Sequence, residues 1–395
     1  MDSDAIVIVG ASAAGISAAR EIRAASSDVP IRIFTEESHY PYYRPLLTEY
    51  IGDNSVERRS NFYLNPEHWY SDKRIELIRG QRIVAIDAAG KTVQAESGGR
   101  HPFNRLILAN GSTPFVPLKD ALSKRNVYSI RTINDAKAVH EQAGKIKSAI
   151  VIGGGLLGLE AAYSLTNMGV QVTVIEVADR ILPRQLDAEC SVILQNIVTR
   201  ANVRLMTGKT VNSITGGDTA TGVKFASGEE VAAEMIVFSI GVRPNVDLAR
   251  SCGIQVNRAV VVNDRMETSV PGIYACGDIV EFNNKNIALW MPAMRQGKVA
   301  GSNAAGKPAR YVDEAYPAVL NSFGTKVFSI GDLCVDKKEG EYQLHITKDM
   351  NKDHHKKMFI IDEKLVGFIL IGDISESQKL AAAIKNGTSH ESLIK

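Results

Sequence analysis

The chain has only four cysteines, Cys190, Cys252, Cys276 and Cys334, and no two of them lie closer than 24 residues. No Cys-x-x-Cys is present, so neither a thioredoxin-like dithiol nor a zinc knuckle has its usual spacing. Four thiols in 395 residues fit reduced cysteines and a cytoplasmic protein. A surplus of one charge is also lacking. Lys and Arg number 46 against 44 Asp and Glu, a net charge of +2, without the basic excess of a nucleic-acid binder. No apolar run reaches the ~18–20 residues that span a membrane. The stretch 5–19 could be misread as a signal-peptide core, but it follows Asp2 and Asp4 rather than positive charge and is broken by Gly10, Ser12, Gly15 and Ser17. The expectation is a cytoplasmic protein with no nucleic-acid or membrane partner. His354 and His355 are adjacent with only Asp353 beside them, too few ligands in one stretch, so no metal site is expected.

What is present is an ordinary globular composition, 45% hydrophobic and 23% charged, in a chain long enough for two to four domains at ~100–200 residues each. The 32 glycines matter by position. Residues 5–9 are a continuous aliphatic, largely β-branched run, the pattern of a strand buried on both faces of a parallel sheet. Small residues lead into a helix over 13–25 and a strand at 31–34. The pattern recurs with a strand at 149–152, glycines at 153–158, a helix through 168 and a strand at 172–175. Two copies of one large unit are implied. Shorter strands are expected at 82–86, 106–108, 235–238 and 273–275, and a helix at 294–305. Composition changes after Pro308; strands at 327–330, 342–346, 358–361 and 366–371 and a helix at 375–384 predict a small α+β domain. The expected fold class is α/β: two Rossmann-like dinucleotide-binding domains plus a small α+β C-terminal domain.

The first glycine loop runs from Gly10 to Gly15, with Ser12 in the place of the middle glycine of G-x-G-x-x-G. That glycine lets backbone approach a pyrophosphate, and serine is a small replacement that can still donate to phosphate. Acids follow the second strand at Glu36 and Glu37, where a carboxylate binds ribose hydroxyls. A tight turn without ligand is the other reading of this loop. The second loop is intact at Gly153, Gly155 and Gly158, and Glu176 ends its second strand. A carboxylate there accepts from the adenosine ribose and repels the 2′-phosphate of NADP, so NADH is expected over NADPH. Two such sites suggest two dinucleotides, with FAD and NADH the natural pairing.

These motifs, in this order, resemble the two-dinucleotide-domain flavoprotein reductases, the pyridine nucleotide-disulphide oxidoreductase superfamily, over the whole chain. Residues 106–114 are similar to the family's A-T-G segment, with Asn110 in the place of threonine; 237–244, with Gly241, to the return crossover; 274–278 to the late FAD motif; and Trp290 with Ala293-x-x-Gln-Gly297 to the helix aimed at the flavin pyrimidine edge. The resemblance implies an FAD domain of residues 1–112 and 239–309, an NAD domain of 113–238 and a C-terminal domain of 310–395. It assigns Gly10, Ser12, Ala13, Ala14, Gly15, Glu36, Glu37, Arg44, Ile83, Ala109, Asn110, Gly111, Arg131, Gly277, Asp278, Trp290 and Ala293 to FAD. Gly153, Gly155, Leu156, Leu157, Gly158, Glu160, Glu176 and Gly241 are assigned to NAD.

Disulfide-using members carry cysteine after the first βαβ unit. Here residues 40–50 contain Tyr40, Tyr42, Tyr43 and Arg44 but no cysteine, so a flavin-to-thiol relay lacks its residue and Cys276 reads as structural. Tyr-x-Arg-Pro resembles reductases of rubredoxins and [2Fe–2S] ferredoxins and the flavin domain of assimilatory nitrite reductase. Glu49 stands where some of these branches have lysine, while Glu160, implied at the nicotinamide–flavin junction, is retained. Residues 321–332 and 365–373 look like the small domain of NADH:rubredoxin oxidoreductases. The implied function is an NADH-dependent FAD oxidoreductase feeding a small one-electron carrier, rubredoxin foremost. The alternatives are an NADH oxidase or diaphorase, a flavin subunit of a larger reductase, or a non-catalytic FAD/NADH redox sensor. For an acidic carrier, the basic runs Lys352, His354, His355, Lys356, Lys357 and Arg58-Arg59 are candidate docking faces; solvated loops are the plainer reading. Monomer and dimer both remain open.

Overall fold

In the computed structural model, residues 4–338, 340–349 and 353–394 are described. The chain divides into two compact units, Met1–Leu46 with Ser55–Thr113 and Val242–Glu314, and Leu47–Asn54 with Pro114–Gly241 and Ala315–Lys395.

The first unit is built on a five-stranded parallel sheet in the order Ile273–Ala275, Arg105–Leu108, Ile6–Val9, Ile31–Thr35, Ile75–Arg79. Ile6–Val9 is central, and its four residues are each at most 6% exposed. Both faces of that strand are covered, which is why no polar residue alternates along it. At about 1.5–3 kcal/mol per large aliphatic side chain buried, these four residues anchor the layer. Helices Ala13–Ala25 and Trp290–Ala304 pack closely because Gly297 and Gly301 oppose Ala14 and Ala18. The second helix starts at Trp290 rather than 294 because Pro292 falls in its first turn, where backbone N–H groups have no intrahelical acceptor to lose.

The second unit repeats the plan. Its parallel sheet has the order Arg204–Met206, Gln171–Ile175, Ser148–Ile152, Met235–Phe238, Val127–Ser129. Helix Leu156–Asn167 follows the second glycine loop, and helix Ala188–Arg200 is capped by Asp187, whose carboxylate accepts the Cys190 N–H. The C-terminal segment forms an antiparallel five-stranded sheet in the order Ala318–Ser322, Thr325–Gly331, Lys364–Ile371, His354–Ile361, Gln343–Asp349. Helix Ser377–Asn386 covers one face, with Leu380 and Ala383 against Phe328, Met358 and Phe368.

The fold is therefore α/β with Rossmann-like sheets and an antiparallel C-terminal sheet. One reading is corrected. The basic run is not a solvated loop: strand His354–Ile361 begins four residues earlier than 358, and His355 and Lys357 are buried in it. Lys352 lies outside the described residues. Arg58 and Arg59 are exposed. Among the described residues, no helix is long and apolar enough to cross a membrane.

Candidate dinucleotide sites

The first glycine loop joins the central strand of the first unit to helix Ala13–Ala25. Gly10 has φ +108°, and a Cβ there would lie 2.1 Å from the Ala109 carbonyl oxygen; one at Gly15 would lie 1.9 Å from the Gly10 carbonyl oxygen. Only glycine fits, and the helix is thereby drawn up to the carboxyl end of the strands at the point where the sheet order reverses, the usual ligand crevice of such sheets. Ser12 is the N-cap but makes no side-chain cap. Its hydroxyl instead accepts a hydrogen bond from Arg44 Nε at 3.0 Å. Arg44 also pairs with Glu37, whose second oxygen accepts the Tyr42 hydroxyl at 2.6 Å. Burial works against the Arg44 cation, but Tyr42 and Glu37 outweigh it and hold its pKa above the ordinary value. A permanent cation beside an uncapped helix N-terminus is an anion-binding arrangement. Glu37 lines the pocket beside the loop with Ala11, Ser12, Tyr42 and Arg44. Glu36 points away, 67% exposed, toward Arg82.

Other assigned residues gather at this end of the sheet. Ala109 backs onto Gly10. Asn110 and Asn245 exchange amides, Nδ2 to carbonyl oxygen at 2.9 and 2.8 Å, which leaves the Asn110 Oδ1 buried without a partner. Gly111 turns the chain with φ +65°. Asp278 Oδ2 accepts the Ser112 hydroxyl at 2.7 Å, and Arg44 feels the Asp278 charge. The preceding Gly277 donates its N–H to Gln296 Oε1 at 2.8 Å and sits against Ala14 and Ala293. Trp290 meets the Tyr43 ring edge-on at 4.9 Å. Ile83 is buried in the hydrophobic core of this unit. Arg131 is placed in the second unit, where its backbone N–H is held by Asp135. Asn245, Ser112, Gln296 and Tyr42 support the site without having been assigned to it. Ser112, Gln296 and Tyr42 lie within segments already singled out, whereas nothing in the sequence marks Asn245, whose partner is 135 residues away.

The second loop reproduces the first. Gly153 has φ +118°, with a would-be Cβ 2.2 Å from the Ser239 carbonyl oxygen, and Gly158 would meet the Gly153 oxygen at 2.0 Å. Gly155 caps helix Leu156–Asn167 and offers no side-chain acceptor, so the first N–H groups face the loop. Leu156 is half-buried and Leu157 is 52% exposed. Glu176 is locked beside the loop, one oxygen accepting the Gly154 N–H at 2.7 Å and the other the Ala178 N–H at 2.9 Å. Gly241, at φ +102°, follows strand Met235–Phe238, and its carbonyl accepts the Phe115 N–H.

Glu160 lies on helix Leu156–Asn167, largely buried, and accepts the Thr48 hydroxyl at 2.7 Å. Burial raises its pKa, the Thr48 hydrogen bond lowers it, and Glu49 raises it, for a net upward shift. All four cysteines are free thiols. Burial pushes Cys276 up to about 12 and raises Cys190, Cys252 and Cys334 as well. None is held as the nucleophilic thiolate.

Residues 4–297 match the pyridine nucleotide-disulphide oxidoreductase family, and residues 317–388 match the rubredoxin NAD+ reductase C-terminal domain. The chain is similar to a nitrite reductase [NAD(P)H] of Bacillus subtilis, 34% identical over 388 residues, covering 98% of this chain but 48% of that protein; it thus spans about half the length of that relative. It is also similar to the NADH-rubredoxin oxidoreductase of Clostridium acetobutylicum, 30% identical over 397 residues, covering 100% of this chain and 97% of that one. The crystal structure of NADH:rubredoxin oxidoreductase from Clostridium acetobutylicum superposes with a TM-score of 0.80 at 29% identity, over 98% of this chain and 96% of the other. With both glycine loops in place and the match running almost from end to end, the chain belongs to the pyridine nucleotide-disulphide oxidoreductase family, oxidoreductases that use FAD and NADH.

Proposed function

We propose that the chain oxidises NADH and delivers the electrons one at a time to a small carrier protein, most simply a rubredoxin. The observation that carries this reading is the C-terminal segment, residues 317–388, with its likeness to the rubredoxin NAD+ reductase domain. The four protonated, free thiols support it, since they offer no relay within the chain.

The residues present fit FAD in the first unit. The uncapped helix start at Ser12 and the Arg44 guanidinium would hold the diphosphate, Glu37 the adenosine ribose, and Asp278, steadied by Ser112, the ribityl hydroxyls. The orphaned Oδ1 of Asn110 is a buried acceptor that a ligand donor would satisfy. When bound, FAD accepts two electrons from a nicotinamide and can release them singly. In the second unit, the N–H groups at Gly155 would take the NADH diphosphate and Glu176 the adenosine ribose hydroxyls; Glu160 stands on the nicotinamide side. Transfer between the two cofactors needs positioning rather than a general base. The domain division read with this function is 1–112 with 239–309, 113–238 and 310–395, and of the assigned residues Arg131 and Gly241 fall across it.

The test is anaerobic reduction by NADH followed by mixing with rubredoxin or with oxygen. Rubredoxin should reoxidise the flavin faster than oxygen does. Slow reoxidation by rubredoxin with fast oxygen consumption would replace this reading with an NADH oxidase. A second reading, the flavin part of a larger reductase, is favoured by the nitrite reductase relative, of which the chain covers about half; sluggish reaction with both acceptors would point there.

A further inference from the structure

A carboxyl group taken out of water is costly unless something polar meets it. Glu160 is such a group. Helix Leu47–Gly52 packs against its helix and brings Thr48, Glu49 and Tyr50. The strands that pack on the same helix, Ser148–Ile152, Gln171–Ile175 and Ala318–Ser322, carry no titratable residue. His140 stands behind helix Leu47–Gly52, its ring bonded to the Ile51 carbonyl and to Asn54. Among the described residues, the charged side chain that shifts Glu160 is Glu49, of like sign.

Thr48 fills the gap. The residue is 3% exposed and its hydroxyl donates to Glu160 Oε2 at 2.7 Å. Its own carbonyl accepts the Ser164 hydroxyl at 2.7 Å. Ser164 is one turn beyond Glu160 on the same helix, so that helix grips Thr48 by backbone and by side chain at once. The two helices meet at Gly52, where an added Cβ would make ordinary contact with Ser164 at 3.4 Å. The β-branched threonine has few χ1 choices, which narrows the directions its hydroxyl can take.

We propose that Thr48 is the positioning residue of Glu160, its hydroxyl holding the carboxyl in one rotamer and serving where a cation would otherwise be required. That Glu160 lies on the nicotinamide side rests on the function proposed above; the positioning itself does not. The expected consequence has a definite sign. The Thr48 hydrogen bond favours the ionised carboxylate against burial and Glu49, so its removal moves the Glu160 titration upward.

The experiment is an infrared pH titration of the full-length FAD-loaded protein, following the protonated-carboxyl band that Glu160→Gln abolishes. Thr48→Val keeps the shape and removes the donor; the midpoint should rise by about one pH unit, the worth of a hydrogen bond to a charged group. Thr48→Ser restores the donor and should restore the midpoint. Should Thr48→Val fail to fold, Thr48→Ala reads the same shift. A midpoint unmoved in a folded donor-less variant, or no band assignable to Glu160, overturns the proposal. The dissociation constant of NAD+ is measured on the same variants. If Glu160→Gln leaves it and flavin reduction by NADH unchanged while the Thr48 shift is seen, the nicotinamide assignment fails and the positioning stands.

Discussion

Replacing Lys357 with methionine should loosen the C-terminal sheet from the nucleotide-binding fold of the second unit. The Lys357 side chain is 7% exposed, and its ammonium reaches Asp187 at 2.5 Å and Glu189 at 2.8 Å. Asp187 is at the same time the cap of helix Ala188–Arg200, and Glu189 also receives Lys348 at 2.5 Å. Methionine keeps the bulk and leaves two carboxylates facing each other at a helix start. Breaking a fully buried pair costs about 3–5 kcal/mol. Asp187 and Glu189 are 18% and 40% exposed, so water screens part of the loss and about 2–3 kcal/mol is the better figure. For a body of this size that is a fall of about 4–12 °C in Tm, read by scanning calorimetry at pH 7.

The pH dependence follows from the same groups. Burial opposes the Lys357 charge, but its bonds to Asp187 and Glu189 win and raise its pKa. Its contribution is therefore complete below the unfolded lysine value and lost only as pH climbs through the raised folded one. Burial opposes the Asp187 charge too, but the Lys357 hydrogen bond and the Cys190 N–H lower its pKa; Lys348 and Lys357 bring Glu189 down to about 2. Those contributions are present above the unfolded carboxylate values of about 4 and vanish as pH falls through the lower folded ones. The difference between wild type and variant should be level from about pH 7 to 9 and shrink below about pH 4. A variant as stable as wild type at pH 7, or a difference that ignores acid, would refute the reasoning.

Glu176→Ala removes the carboxylate from the rim of the second loop and should lower kcat/KM for NADH about tenfold while leaving NADPH little changed; an unchanged preference, measured by steady-state kinetics with both nucleotides, would reject the ribose role. Asp278→Ala removes a charged acceptor worth about 1.5–3 kcal/mol, so FAD should bind about ten- to a hundredfold more weakly. Full retention of the yellow cofactor through gel filtration would count against that assignment.

Much of the architecture is written locally. The uninterrupted aliphatic runs at 5–9 and 149–152 announce strands buried on both faces, and the glycines that follow are needed because backbone oxygens of Ala109 and Ser239 leave no space for a Cβ. Spacing within one βαβ unit settles these points. Choosing between Glu36 and Glu37 took the fold, since adjacent residues leaving a strand diverge and only Glu37 reaches Arg44 and the loop.

The run at 354–357 shows the opposite limit. Four basic residues in sequence read as a solvated surface, yet alternate residues of a strand face opposite ways, and His355 and Lys357 turn inward. The acids that make this tolerable, Asp187 and Glu189, lie about 170 residues earlier. Thr48 and Glu160 are likewise 112 residues apart. The sequence by itself determined the two dinucleotide folds and the order of their motifs, because each depends on neighbours in the chain. Only the tertiary structure decided which acid stands by the first loop, what steadies Glu160 and why Lys357 is buried, because a buried charge is defined by partners that the chain brings from far away.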